Sequence, residues 1–426
     1  MKKLFESRYA VYVLVGFGLL IRIIALARVG GQSLYYENTA YDRMALQLLA
    51  GAKFAPYWPP GVPYYLMLFH RVFGGGLLVA RASILLVYVL FSFALYALVR
   101  ELWSTRAAIL AVLAFVLYPS YIRWAFNPST EFPAAACLVS IVWLTVVTIR
   151  RRSIGFAIAI GLLLGAMALV RGSSLGLVLF VPLFVFFRTR KLSLAFVPLL
   201  VATFPISAWL WKAHDMTGRF VMINDSNAEN FFQSNNQYTP LYNTCIGGPV
   251  TWNPPPQFKK LEQEIECQPQ PQQQKTYRKL ALTHILARPD LFMLRTFNRF
   301  RAFFCFPIHK GEPLAHSGPA WLGIGITAVE LCFYWPIMAL AIVVCCSRGR
   351  LSWEIVLILS TALVYAIPCF LTCSQPRYNF PVVPLFAAIA FGFNRRIVPR
   401  RKQLMCALLA SFFYIQTEWI VIVARS

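Results

Sequence analysis

Long apolar runs follow one another along most of the chain and are separated by short polar stretches. A long polar segment interrupts the series after residue 211. The runs lie at 9–29, 77–99, 106–121, 132–149, 154–170, 174–187, 192–211, 319–346, 352–373, 380–394 and 403–423. Because a helix of about 20 apolar residues crosses the bilayer core, this pattern predicts an all-α polytopic membrane protein with about eleven transmembrane helices.

Basic residues cluster in alternate loops between these runs. The clusters lie at 100–106, 150–152, 188–191, 348–350 and 395–402. Lys and Arg accumulate in cytoplasmic loops, so the alternation predicts a cytoplasmic N-terminus. The intervening regions 30–62, 119–131 and 212–318 are then predicted to face outward.

This orientation divides the chain into three predicted parts. An N-terminal membrane module covers 1–211 with about seven spans, and a C-terminal membrane module covers 319–426 with about four. Residues 212–318 lie between them and are rich in Asn, Gln and Pro, which predicts a small, loop-rich, α-rich extracytoplasmic domain. One amphipathic helix is predicted in it, near 276–303.

The composition fits insertion into a membrane, since 58% of the residues are hydrophobic and 13% are charged. Soluble domains are about a quarter charged. The net charge of +24 exceeds what the cytoplasmic loops explain, and anionic lipid head groups or a phosphate-bearing substrate fit it better than nucleic acid. The ten cysteines show no metal-ligand spacing; Cys245 and Cys267 are a candidate disulfide if their segment faces an oxidising compartment.

Carboxylates are scarce in the first half of the chain. Residues 1–211 contain five, namely Glu6, Glu37, Asp42, Glu101 and Glu131. The predicted orientation places Glu37, Asp42 and Glu131 outward and beside the membrane, where ionisable residues are functional candidates. Glu37 begins a predicted helix, whose dipole favours a negative charge there, and Glu131 directly precedes a span. Asp42 is interpreted as a solvated surface acid.

The first outer loop carries a strong local pattern. Residues 37–51 have apolar positions at helical spacing, and Gly51 ends the predicted helix. The rigid turn Trp58-Pro59-Pro60-Gly61-Val62-Pro63 follows. A short apolar helix from Tyr64 to Phe73 comes next, too short to span the bilayer. Short helices in the membrane interface are typical of proteins that handle a lipid-borne substrate.

These residues resemble the first extracytoplasmic loop of the C-fold glycosyltransferases of the protein O-mannosyltransferase and aminoarabinose-transferase type (glycosyltransferase family 39 and relatives). The shared features of that loop are an acid, a Tyr four residues later, Leu-Leu-x-Gly and Pro-Pro-Gly-x-Pro. The later parts of the resemblance are Arg81, Tyr118-Pro119, Ser129 to Pro133, Leu169-Val170-Arg171, Tyr277 to Phe304 with Ala287-Arg288-Pro289, and Arg377-Tyr378 with Pro381 and Pro384. In order and placement they cover most of the chain.

The resemblance implies a transferase that takes a sugar from a polyprenyl-phosphate carrier at the outer leaflet. Family members use a first-loop acid, usually Asp, near the acceptor hydroxyl, and often a second acid at the start of the fourth span. The matching positions are Glu37 and Glu131. A lipid phosphate leaves without protonation, so one general base suffices, and a single in-line displacement inverts the anomeric carbon. Glu37 is the favoured base and Glu131 its partner or its replacement.

The leaving phosphate needs cations. Because the carrier holds a single phosphate, Arg and Lys can bind it, and a divalent metal or other cofactor is not required. Candidates for binding the donor phosphate are Arg171, Arg377, Arg123, Lys53 and Arg299. Arg171 and Arg377 fit equally well as snorkelling residues at helix ends. Candidates for binding sugar or acceptor are Tyr41, Tyr57 and Trp58, although interfacial Tyr and Trp also form aromatic belts.

Two other classes of function stay open on the sequence. A lipid or glycan transporter or flippase would show an internal repeat, which is not seen, while Glu330 and Glu354 within late spans are compatible with a conduit. A polymer ligase with a similar outer-loop plan is the other. The expected partners are membrane lipids, the polyprenyl-phosphate donor and a glycan, lipid or protein acceptor. The compact size favours a bacterial inner membrane.

Overall fold

The structure, a computed structural model, describes residues 9–30, 36–52, 56–242, 252–307, 320–347, 350–393 and 401–425. Every regular element in these ranges is a helix. The helices of the first half are α1 (Ala10–Val29), α2 (Tyr36–Leu49), α3 (Gly61–Phe73), α4 (Leu77–Leu102), α5 (Thr105–Leu117), α6 (Pro119–Trp124), α7 (Glu131–Arg151), α8 (Ile154–Val170), α9 (Leu175–Thr189) and α10 (Leu192–Thr217).

The second half begins with four helices in the polar segment and ends with further apolar ones. They are α11 (Ser226–Ser234), α12 (Pro256–Glu266), α13 (Gln270–Ala287), α14 (Pro289–Phe303), α15 (Ala320–Ser347), α16 (Trp353–Leu371), α17 (Val383–Ala390) and α18 (Lys402–Arg425). Two 3₁₀ turns, Gly172–Ser174 and Pro376–Asn379, precede α9 and α17.

Eight helices of the described residues are long and apolar enough to cross a membrane, and α5 and α8 are shorter apolar helices. The prediction of an all-α polytopic membrane protein is confirmed, whereas the count of about eleven spans is not. The run predicted at 380–394 forms only α17, which has 8 residues. A helix of that length rises about 12 Å, far less than a bilayer core.

The predicted run at 106–121 breaks after Tyr118, where Pro119 ends α5 and starts α6. Pro119 has no backbone N–H, so the last carbonyls of α5 lose helical partners. Arg22 of α1, fully buried, donates to Phe115 O at 3.0 Å and Tyr121 O at 3.2 Å. Glu330 of α15 accepts from the backbone N–H and the hydroxyl of Ser120 at 3.0 and 2.6 Å. Two buried charges therefore satisfy both ends of the break.

The acids of the late spans have protein partners. Glu330 is bound at the break between α5 and α6 as just described, and Glu354 lies 2.9 Å from Arg150 in an ion pair. Arg150 also pairs with Glu101 at 2.9 Å, which joins the ends of α4, α7 and α16. These contacts give both acids a structural role and remove the argument that they line a conduit.

The polar segment packs around its own aromatic cluster. The Phe232 ring stacks on Phe258 at 5.7 Å and meets Tyr277 at 5.3 Å, which joins α11, α12 and α13. The amphipathic helix predicted near 276–303 is instead two helices, since α13 ends at Ala287 and α14 begins at Pro289. Proline disfavours helical geometry in the residue before it, and Arg288 accordingly leaves the helix.

The cysteines differ from the sequence interpretation in one respect. Cys267 is a free, exposed thiol, so the candidate disulfide with Cys245 is not formed. Cys245 itself lies outside the described residues. Cys373, in the segment after α16, is disulfide-bonded.

Candidate active site

The turn of the predicted first outer loop, Trp58 to Pro63, packs directly against the end of α8. A Cβ added to Gly61 would lie 2.6 Å from the backbone N of Val170 and 2.7 Å from the carbonyl carbon of Leu169. Real Cβ atoms do not approach backbone this closely, so only glycine allows the contact. The Pro-Pro-Gly turn and the Leu-Val-Arg motif are therefore held side by side.

We expect Gly61→Ala to disturb this contact, because both sides of it are backbone and cannot give way as a flexible side chain would. Overpacking of this kind costs about 1–3 kcal/mol. The expected result is a lower melting temperature of the purified protein. Gly155→Ala is the matched control, since a Cβ there meets only the Ser153 hydroxyl oxygen at 3.7 Å. Equal melting temperatures for the two variants would contradict the close-contact argument.

Arg171 follows α8 directly and lies among aromatic rings. Its Cζ is 4.9 Å from the centre of the Tyr378 ring and 5.8 Å from that of Tyr365. The side chain also interacts electrostatically with Glu131. Its Nη1 is buried and has no hydrogen-bond partner among the described residues. A buried guanidinium N–H without a partner is costly, so this atom is suited to an anionic ligand.

Arg377 lies against the same tyrosine. Its Cζ is 5.2 Å from the centre of the Tyr378 ring, and the residue belongs to the 3₁₀ turn before α17. Arg171 and Arg377 are far apart in sequence, and both contact one ring. The structure thus brings two of the predicted phosphate-binding arginines together.

Glu131 is the first residue of α7 and is 3% exposed. A carboxylate at this position lies at the positive end of the helix dipole, which stabilises its charge. Phe132, the next residue, packs against the rings of Tyr121 in α6 and Phe380, which directly follows the 3₁₀ turn that carries Arg377. These two contacts hold the start of α7 in place. Glu131 and Arg171 therefore share one region with the two tyrosines.

The predicted sugar-binding or acceptor-binding aromatics also lie together. Trp58 meets Tyr57 at 5.1 Å and Tyr41 at 6.0 Å between ring centres. The Tyr57 hydroxyl donates to Glu229 Oε1 at 3.0 Å, and Asp225 N donates to Pro56 O at 2.8 Å. The predicted first outer loop is thereby joined to α11. Since the Tyr57 hydroxyl is already bonded and Tyr41 is 4% exposed, Trp58 is the best placed of the three for a ligand.

Glu229 offers a test of this junction. Burial first, and then the charges of Glu262 and Glu266, raise the pKa of Glu229 above its ordinary 4.5. The native state then binds this proton more tightly than the unfolded state, so stability falls as pH rises from 4.5 through the raised pKa. We expect Glu229→Gln to raise the melting temperature by about 2 °C at pH 8 and to have no effect at pH 4.

The Glu229→Gln measurement is thermal unfolding between pH 4 and pH 8. Glu264→Gln serves as the control, because Glu264 is an exposed acid of α12. A stabilisation by Glu229→Gln that is equal at both pH values, or equal in the control, would contradict burial as the cause.

Asp42 is not the solvated surface acid that its place in the sequence indicated. Its side chain is 14% exposed and its Oδ1 lies 2.8 Å from Nε2 of the buried His70. It also interacts electrostatically with Arg81, which is fully buried. The helical spacing placed Asp42 on the polar side of α2, and that side faces α3 and α4. Asp42 therefore joins three helices.

Arg299 has a different role from the predicted phosphate binding. It is 1% exposed, and its guanidinium donates to Leu371 O at 3.1 Å, to Asn235 Oδ1 at 3.1 Å and to Ser234 O. These bonds join α14 to α11 and to the end of α16. Because the donors are used on protein oxygens, we leave Arg299 out of the candidate anion site.

The remaining predicted residues are less informative. Arg123 lies on α6 with its Cζ 5.1 Å from the centre of the Trp124 ring. Lys53 lies outside the described residues. Glu37 is in α2, next to its first residue Tyr36, and its side chain is outside the described part of the chain. The described residues hold no group of three or more His, Cys, Asp or Glu that could bind a metal ion.

Two residues near Arg171, Tyr378 and Tyr365, were not predicted as site residues. Tyr378 directly follows Arg377, and its place in the Arg-Tyr pair was a usable signal. Tyr365 lies in the middle of an apolar span, and nothing in its surroundings distinguishes it from a residue of the protein core.

The helices and this cluster define a polytopic membrane protein with a candidate anion-binding site where α16 and the 3₁₀ turn before α17 meet the end of α8. Residues 58–211 match the family described as dolichyl-phosphate-mannose-protein mannosyltransferase, which confirms the predicted resemblance over that segment. Among curated protein sequences none matches the chain.

Several solved structures share the fold, and two of them illustrate it. One is ArnT from Cupriavidus metallidurans bound to undecaprenyl phosphate, which is 15% identical in sequence to this chain and superposes with a TM-score of 0.52. The match covers 95% of this chain and 64% of the ArnT chain. The other is the Archaeoglobus fulgidus oligosaccharyltransferase in complex with Zn and sulfate, which is 16% identical in sequence and superposes with a TM-score of 0.52. The match covers 96% of this chain and 52% of the oligosaccharyltransferase chain. The chain therefore spans less than two thirds of either protein, and the likeness establishes the fold alone.

Proposed function

We propose that this protein is a glycosyltransferase of the bacterial inner membrane that moves a sugar from a polyprenyl-phosphate carrier to an acceptor hydroxyl. The observation that carries the proposal is the buried, unpartnered Nη1 of Arg171, beside Tyr378 and Arg377. Arg171 lies within the segment that matches the mannosyltransferase family. That ArnT was solved with undecaprenyl phosphate supports a carrier of this chemical class.

The proposed site faces outward, with the N-terminus in the cytoplasm and residues 212–318 as an extracytoplasmic domain. The basic ends of α4, α7 and α9 support this orientation, because Arg100, Arg150 and Arg188 lie at the opposite ends of their helices from the candidate site. The acceptor is a glycan, a lipid or a protein hydroxyl.

In the proposed reaction Glu37 accepts the proton of the acceptor hydroxyl. The acceptor oxygen forms the new bond to the anomeric carbon while the bond from that carbon to the phosphate oxygen breaks. The lipid phosphate leaves as an anion, and the guanidinium groups of Arg171 and Arg377 stabilise it. Because attack and departure occur on opposite faces, the product has the inverted anomeric configuration. A monophosphate bound by two arginines does not call for a divalent metal.

Glu131 has a supporting role in this scheme. Its charge interacts with Arg171 and keeps that side chain oriented toward the cluster.

The experiment is to incubate the purified protein with a polyprenyl-phosphate sugar and an outer-envelope extract as acceptor, and to measure release of polyprenyl phosphate. We expect polyprenyl phosphate to be released only when the acceptor is present. Movement of the labelled lipid across a vesicle bilayer without bond cleavage would contradict the proposal and indicate a flippase. Joining of preformed glycan chains without use of the polyprenyl-phosphate sugar would indicate a polymer ligase.

A further inference from the structure

A cavity of about 650 Å³ opens between α1, α4, α7 and α8, away from the candidate active site. Its walls are mostly apolar, with Leu90, Phe93, Trp143 and Leu163 among the lining residues. Leu90 is 58% exposed, so the cavity opens on the surface that meets the membrane. The candidate active site lies at the far ends of α7 and α8.

Two polar residues of α4 distinguish this cavity from an ordinary lipid-facing groove. Arg100 is the only charged residue among the described residues that line it, and its Cζ lies 5.7 Å from the centre of the Tyr96 ring. Tyr96 also lines the cavity and is 7% exposed, and its hydroxyl has no hydrogen-bond partner within the described part of the chain. A buried hydroxyl without a partner is costly, so a ligand oxygen that meets it is stabilising.

The lining residues of α4 extend over a distance comparable to one membrane leaflet. Leu90 and Arg100 line its two ends on α4, and ten residues of helix rise about 15 Å. The hydrocarbon core of a bilayer is about 30 Å thick, so half of it is the same length. A lipid whose head group lies at Arg100 would place one acyl chain along the apolar walls.

We propose that this cavity binds an anionic phospholipid of the inner leaflet, with its phosphate at Arg100, a head-group or glycerol oxygen at Tyr96, and one chain along Phe93 and Trp143. The negative phosphate matches the one cation of the lining, and an arginine binds phosphate oxygens through charge-assisted hydrogen bonds. On the α1 side of the cavity, the centre of the Tyr12 ring lies 5.5 Å from that of Phe93, so Tyr12 would cover the bound acyl chain there.

The test uses the purified full chain, delipidated in a neutral detergent and titrated with phosphatidylglycerol or phosphatidylcholine under native mass spectrometry. The wild type is expected to retain one phosphatidylglycerol about tenfold more tightly than phosphatidylcholine. Arg100→Gln should abolish this preference, and Tyr96→Phe should weaken phosphatidylglycerol binding about threefold. Ala97→Leu, which fills the cavity, should weaken both lipids.

Arg106→Gln is the matched control, since Arg106 is an exposed arginine of the following helix that does not line the cavity. Its lipid binding should equal that of the wild type. Equal retention of the two phospholipids by the wild type, or unchanged phosphatidylglycerol binding by Arg100→Gln, would overturn the proposal. Preferential binding of polyprenyl phosphate over phosphatidylglycerol at this site would overturn the assigned occupant.

Discussion

Glu37→Gln is expected to lower the turnover of the proposed transferase by roughly 10²- to 10⁴-fold, the usual contribution of a general base. The amide keeps the size of the carboxyl group and cannot accept the proton of the acceptor hydroxyl. Donor binding should change little, because the phosphate is proposed to be held by Arg171 and Arg377. The measurement is steady-state release of polyprenyl phosphate, with kcat and KM for the donor determined separately.

Two further variants make this result decisive. Glu37→Asp retains a carboxylate that is one methylene shorter, so intermediate turnover is expected. Glu131→Gln should cost less than Glu37→Gln if Glu131 is the partner, and more if Glu131 is the base. Wild-type turnover in both Gln variants would show that neither acid takes the proton.

Arg171→Gln is expected to lower kcat/KM for the donor by roughly 10- to 100-fold, the worth of a hydrogen bond to a charged group. The Gln side chain has no charge and cannot present the planar pair of donors that a guanidinium offers a phosphate. Arg171→Lys keeps the charge and loses that geometry, so it should fall between the wild type and Arg171→Gln. The assay is the same release of polyprenyl phosphate, at varied donor concentration.

Arg188→Gln is the matched control for Arg171→Gln. Arg188 also lies over an aromatic ring at a helix end, with its Cζ 5.2 Å from the centre of the Trp353 ring, and it is on the opposite face of the membrane bundle. Its donor kinetics should equal those of the wild type. If Arg171→Gln only lowers the melting temperature and leaves kcat/KM unchanged, Arg171 is a snorkelling residue and the proposed phosphate site is wrong.

The helices that the sequence predicted best are those whose apolar runs are long and bounded by basic residues. α4 and α7 are of this kind, and the structure gives both as candidate spans. Arg171 and Arg377 were also predicted as site residues from the sequence, because arginines next to apolar runs stand out, and that prediction stays untested. Their common contact with Tyr378 depends on how α8 packs against the turn before α17, and no local sequence pattern predicts that packing.

The misplaced features depend on contacts between distant residues. Asp42 lay on the polar side of its predicted helix, and its partner His70 belongs to α3. Arg299 looked like a free outward cation, whereas its partners are carbonyls of α11 and α16. Helical periodicity separates a polar side from an apolar one, and it does not tell water from a buried polar partner.

The break between α5 and α6 bears on the order in which the protein is assembled. The segment that leads to Glu131 is held at Ser120 by Glu330, a residue made some 200 positions later in synthesis. While the ribosome is still making the polar segment, the start of α6 lacks this contact, whereas Arg22, the partner of the end of α5, has already been made. The region around Glu131 therefore reaches its final form only after α15 has been inserted and has docked, so maturation of the candidate site is a late event in the biogenesis of the protein.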